Sequence, residues 1–122
     1  MPSGPIYPEH RIFESKPWGW EETIFNGKYC GKIIFIKNGK RTEFVYHKNK
    51  DKTIYVQSGM VDLGYSDIDS ILQTKKHLLN TGDAFRIKHG LRHYCEAVGD
   101  AYIYEMSTHH FDDDVYQADI NN

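Results

Sequence analysis

The chain has 122 residues, a formal net charge of −2, 26% charged and 14% aromatic residues. That length suits one domain with its own core. No basic run is long enough to follow a phosphate backbone, and no apolar run nears the roughly 20 residues that span a bilayer, so neither nucleic acid nor membrane is an expected partner.

The first ten residues, MPSGPIYPEH, lack the apolar stretch of a signal peptide, and a cytoplasmic protein is the expectation. Residues 1–15 read as an extended arm and residues 16–122 as a single domain. From there short runs rich in aromatic and β-branched residues recur between Gly, Asn and Asp breaks. They predict strands over residues 20–25, 32–36, 43–47, 53–57, 60–65, 71–78, 84–87, 93–98 and 102–106. Nothing repeats with a helical period. An all-β sandwich, jelly roll or barrel follows. The two cysteines, Cys30 and Cys95, have no C-x-x-C spacing and read as buried thiols. Lys48, Lys50 and the pair Lys75-Lys76 read as solvated charge, and the acidic run 112–114 as a solvated segment.

Two segments carry more than pattern. YHKNKDKTIYVQSG, residues 46–59, and GDAFRIKHGLRHYCEA, residues 82–97, resemble the two signatures of the cupin superfamily, a small jelly-roll β-barrel (double-stranded β-helix) that often holds a metal between its sheets. The opening KPWGWEE from Lys16, the TGDAFRI run from Thr81, the EMST run from Glu105 and the DDDVY run from Asp112 narrow the resemblance. They are similar to one cupin branch, the type II mannose-6-phosphate isomerases and the isomerase domain of mannose-1-phosphate guanylyltransferases. The resemblance implies an aldose–ketose isomerase of carbohydrate metabolism acting on a sugar phosphate.

In a cupin the second signature aims His93 into the barrel. A two-residue period then sends Cys95 and Ala97 inward, and Tyr94 and Glu96 outward. The same alternation puts Val45 and His47 inward. Lys52, Ile54 and Val56 share a core-side face, which places Lys52 at the mouth of the lumen. The branch takes its metal with a Gln-x-His, a Glu five residues later and a distant His. Those positions here read Val45, His47, Lys52 and His93. Two ligands remain, and a lysine repels the ion, so no cofactor is expected outright. A retained divalent ion (zinc, manganese or nickel) would rest on His47 and His93. A second metal site at His109, His110 and the acidic run is disfavoured, because adjacent residues of a strand face opposite ways.

The reaction needs a base and an electrophile that is normally the metal: His47 or His93 is expected to carry the proton, and Lys52, Arg86, Lys88 or Arg92 could replace the metal. Tyr55 and Tyr104 are expected to line the lumen, and Arg86 and Lys88 to meet a phosphate at its mouth. Glu105 would pair with Lys52 if its side chain faces inward, a phase left open between it and its neighbours Tyr104 and Met106. The alternative is a non-catalytic or degenerate cupin that binds a carbohydrate or other small ligand. A homodimer is expected, because the apolar segment 12–25, with Trp18 and Trp20, calls for a partner's sheet.

Overall fold

The computed structural model describes residues 3–119. The first two residues of the expected arm and the last three of the expected domain lie outside the described residues. Within them the strands are β1 (Ile12–Lys16), β2 (Gly19–Asn26), β3 (Cys30–Ile36), β4 (Val45–Tyr46), β5 (Lys52–Ser66), β6 (Lys75–Leu79), β7 (Ala84–Ile87), β8 (Arg92–Ser107) and β9 (Tyr116–Gln117). Short 3-10 turns cover Pro8–His10 and Ile71–Gln73.

The long antiparallel pair β5 and β8 organises the barrel. The first half of β5 pairs with the second half of β8, and its second half with the first half of β8. The register slips between Val56 and Met60, and Gly59 and Gly99 take positive φ there. Any Cβ at Gly59 would run into the Asp100 backbone, so only glycine lets the strands approach at this bend. Both strands therefore pass through two layers. One layer runs β1-β2-β3-β8-β5-β7, and the other runs β6-β5-β8-β4-β9. This is the all-β jelly-roll barrel the strand pattern predicts.

Alternation decides what each layer buries. In β3 the residues Cys30, Lys32, Ile34 and Ile36 point inward, and every one is buried. In β5 the inner residues include Ile54, Val56, Val61 and Leu63, and in β8 they are His93, Cys95, Ala97, Ala101, Ile103 and Glu105. Val56, Val61, Leu63, Leu79, Ala97 and Ala101 close one end of the interior with hydrocarbon. Each fully buried aliphatic side chain there contributes about 1.5–3 kcal/mol.

Two places on the outer face carry more contacts than the strand pattern alone suggests. Tyr94 does face outward, but it lies over Gly64, is covered by Phe44 and Ala118, and carries the Arg41 guanidinium 4.1 Å above its ring. The segment 12–25 pairs within its own chain: β1 and β2 form a hairpin, and β2 lies on β3. Trp20 there packs between Phe13 and Phe35, with Tyr102 beyond, while Ile12 and Phe13 stay exposed.

Candidate functional site

The polar end of the barrel opens into a cavity of about 330 Å³. Lys52, Ile54, Ile103, Glu105, Lys32 and Ile34 line it from one layer, and Val45, His47, His93, Cys95 and Gln117 from the other. His47, just after β4, and His93, on β8, lie on neighbouring elements of the same layer with ring centroids 5.8 Å apart. In each ring Nδ1 meets a backbone carbonyl, Asp114 for His47 and Leu91 for His93, both at 2.8 Å. A carbonyl only accepts, so Nδ1 carries the proton and Nε2 keeps its lone pair toward the lumen. His47 Nε2 is buried and has no partner among the described residues. Burial first, and then the nearby Lys52 charge, pushes His47 down to about 4 and His93 well below the usual histidine range. Both imidazoles are neutral at pH 7.

Glu105 is the centre of the floor. Its odd-numbered place on β8 puts it in phase with Ile103 and Ala101, which settles its direction inward, while Tyr104 and Met106 face out. One carboxylate oxygen receives Lys50 Nζ at 2.7 Å and the other receives Lys52 Nζ at 3.2 Å. Lys32 Nζ, also buried, donates to Glu21 at 3.1 Å. Burial would raise the Glu105 carboxyl, but Lys52, Lys50 and Lys32 overcome it and hold Glu105 well below the ordinary range. Burial pushes Lys50 down, against the pull of Glu105, and pushes the Cys95 thiol up to about 12. Nearer the opening, Lys16 pairs with Glu14 and Trp18 Nε1 donates to Glu43.

Several expectations need correction. Tyr55 and Tyr104 do not line the lumen. They sit opposite each other on β5 and β8 with rings 6.2 Å apart on the outer surface, because each falls one residue out of phase with the inner face. Arg86 is likewise outside, exposed and bonded to Asp51, and Lys88 lies exposed in the turn after β7. Neither is among the residues lining the lumen. Lys50, read as solvated, is 3% exposed and donates into the floor. Its loop is turned inward by Asp114, whose carboxylate accepts the backbone N–H groups of Lys48, Asn49 and Lys50. Asp114, read as part of a solvated acidic run, is therefore buried. His109 and His110 do diverge: His109 bonds the Gly27 carbonyl, while His110 turns toward the cavity and meets Lys50 Nζ at 3.1 Å.

Lys32 is the functional residue that sequence reasoning passed over although its signal was present, since it shares the period of Ile34 and Ile36. Lys50 and His110 sit in connections without a period and left no such signal.

No protein-family model matches this chain, and no curated protein matches it either. Solved structures do. The capsular polysaccharide assembling protein CapF from Staphylococcus aureus superposes with a TM-score of 0.80 over 93% of this chain, at 16% identity. KdgF from Halomonas sp. gives 0.75 over 92% at 16% identity, and oxalate decarboxylase from Bacillus subtilis 0.76 over 89% at 14%. This chain spans about a third of CapF and of oxalate decarboxylase, and nearly the full length of KdgF. The fold is thus the cupin jelly roll. Its polar lumen is lined by His47, His93 and a lysine–glutamate cluster. Among the described residues no helix is long and apolar enough to cross a membrane.

A divalent metal, which the cupin resemblance implies, does not fit these residues. Val45 offers no donor, and the third ligand position holds the Lys52 ammonium, bonded to Glu105 inside the lumen. Among the described residues no three His, Cys, Asp or Glu side chains are arranged to hold an ion.

Proposed function

We propose that this lumen is the active site of an aldose–ketose isomerase acting on a sugar phosphate. The observation that carries the reading is the pairing of two neutral imidazoles, their Nε2 lone pairs toward the lumen, with a lysine ammonium beside them. Isomerisation moves a proton between neighbouring carbons, so it needs a base and a group that holds the developing oxyanion. One imidazole Nε2 takes the C2 proton. The C2 electron pair closes a C1–C2 double bond, the carbonyl pair moves onto O1, and the Lys52 ammonium stabilises that oxygen. Return of the proton to C1, with the O2 hydroxyl proton passing to O1, leaves the ketose. Lys16, which lines the cavity and pairs with Glu14, would meet the phosphate. CapF, a polysaccharide assembling protein, lends carbohydrate chemistry on this fold some support.

The test is solvent exchange. Protein with excess EDTA is incubated in D₂O with mannose 6-phosphate, and deuterium at C2 is followed by proton NMR. Exchange that persists in EDTA and disappears in His47→Phe and in Lys52→Met is the expected result. Absence of exchange, or exchange only with added zinc, manganese or nickel, would refute the reading.

A second reading, a lumen that binds a carbohydrate without turnover, draws on one observation: Glu105 is already doubly paired, as in a finished structural network. A homodimer is proposed as well, through the exposed row of Phe13, Tyr102 and Tyr104 on the outer face. Light scattering at micromolar concentration should give twice the chain mass.

A further inference from the structure

The floor of the lumen does not balance its own charge. Three ammonium groups, on Lys32, Lys50 and Lys52, have side chains 5%, 3% and 10% exposed. They face two carboxylates, Glu105 and Glu21. His47 and His93 add nothing, being neutral. Of the other charges lining the cavity Lys16 pairs with Glu14, while Glu43, accepting from the Trp18 N–H, and Asp112, bonded to His110, are exposed to solvent, so the balance is that of the buried groups alone. One positive charge is left over in a place where unpaired charge is costly. Lys52 is the group that can share it with a ligand. It lines the cavity, and among the described residues its one acceptor is Glu105, so a three-donor ammonium has donors to spare.

The same floor lacks hydrogen-bond donors at a second point. His47 is 5% exposed and lines the cavity, and its Nε2 is buried and without a partner among the described residues. Its Nδ1–H is committed to the Asp114 carbonyl, so Nε2 can only accept. A ligand with oxygen lone pairs alone would face that lone pair unfavourably. A hydroxyl satisfies it.

From these two features together we infer that the lumen floor recognises a small α-hydroxy acid, its carboxylate on the Lys52 ammonium and its hydroxyl donating to His47 Nε2. A carboxylate carries the one negative charge that the floor lacks, whereas a phosphate ester carries about −1.5 to −2. Vicinal oxygens, one anionic and one hydroxyl, also have the outline of an enediolate. The inference rests on the reading that this lumen is the ligand site, and it adds the class of ligand held in the ground state.

The test uses three molecules of one size, with EDTA throughout: L-lactate with both groups, propionate with the carboxylate alone, and 1,2-propanediol with hydroxyls alone. Calorimetric titration of the wild-type protein should show one lactate site, propionate at least about tenfold weaker, as for a buried acceptor left unsatisfied, and no heat from the diol. In Lys52→Met, where Glu105 keeps Lys50 as partner and folding is checked by its thermal melt, lactate binding should vanish. His47→Phe should bring lactate down to the level of propionate. Folded wild-type protein that binds lactate no better than the diol overturns the inference, as does Lys52→Met with unchanged lactate affinity. Lactate cannot report turnover, so the two readings fail separately. A lactate-binding protein without C2 exchange refutes only the isomerase, and an exchanging protein indifferent to lactate refutes only the hydroxy-acid class.

Discussion

Val56, Val61, Leu63, Leu79, Ala97 and Ala101 make one end of the barrel interior pure hydrocarbon, while Lys32, Lys50, Lys52, Glu105, His47 and His93 make the other end ionic and polar. The same two strands supply both ends: β5 contributes Lys52 and Leu63, and β8 contributes Glu105 and Ala97. Strand pairing does not separate these ends, since each lies on an antiparallel ladder of the same two strands, on either side of the bend at Gly59. The difference is energetic. Hydrocarbon packing stabilises the barrel directly. Buried ion pairs roughly cancel their own desolvation, and well-packed apolar side chains of similar volume often serve stability as well or better. On the proposed reading, the charged end is an arrangement kept for the ligand it binds.

Matched, nearly isosteric substitutions at the two ends sharpen that contrast. Glu105→Gln keeps shape and removes one charge, leaving Lys50 and Lys52 without their counter-ion. The expected loss is about 3–5 kcal/mol of folding stability, read from urea unfolding at pH 7. A loss below about 1 kcal/mol would mean that the ammonium groups find water, and the contrast between the ends would collapse.

Acid should act on the polar end alone, and somewhat less strongly. His47 is held at about 4 against 6.5 for a free histidine. Its folded value is depressed, so its contribution is complete above pH 6.5 and is lost as pH falls toward 4. At about 1.36 kcal/mol per unit this amounts to roughly 3 kcal/mol. Glu105 is depressed as well, so its contribution holds above the ordinary carboxylate range and fails only at lower pH. Unfolding measured at pH 7, 5.5 and 4.5 should show stability falling across the series. His47→Phe should flatten that fall, and an unchanged slope would show that His47 is not the group responsible.

The smallest effect belongs to the apolar end. Leu63→Met conserves volume at a fully buried position and should cost less than about 1.5 kcal/mol, with no change in pH dependence. A larger loss in the same urea assay would show that this end is as particular about shape as the other is about charge.

What could be read from the sequence follows the same division. Wherever a strand ran with a clear two-residue period, direction could be assigned: His93 with Cys95 and Ala97, Lys52 with Ile54 and Val56. Tyr55 and Tyr104 were misplaced because aromatic side chains suit either face, and only their phase against Ile54 and Ile103 shows that they point out. β1 and β9 were missed for different reasons. The prolines before β1 mask its start, and β9 has two residues held by Val45 and Tyr46 across the sheet. Lys50 was beyond reach, since its burial depends on Asp114, 64 residues away and in an acidic run that looks solvent-bound.

That distance bears on how the protein is made. The Asp114 carbonyl fixes the His47 ring and its carboxylate holds the loop that delivers Lys50. A nascent chain that has left the ribosome as far as residue 113 can build β1 to β8 and close its hydrocarbon end. Its histidine would still be free to turn, and its lysine free to stay in water. On the proposed reading, ligand recognition thus waits for residue 114, after the β1 to β8 barrel that houses it.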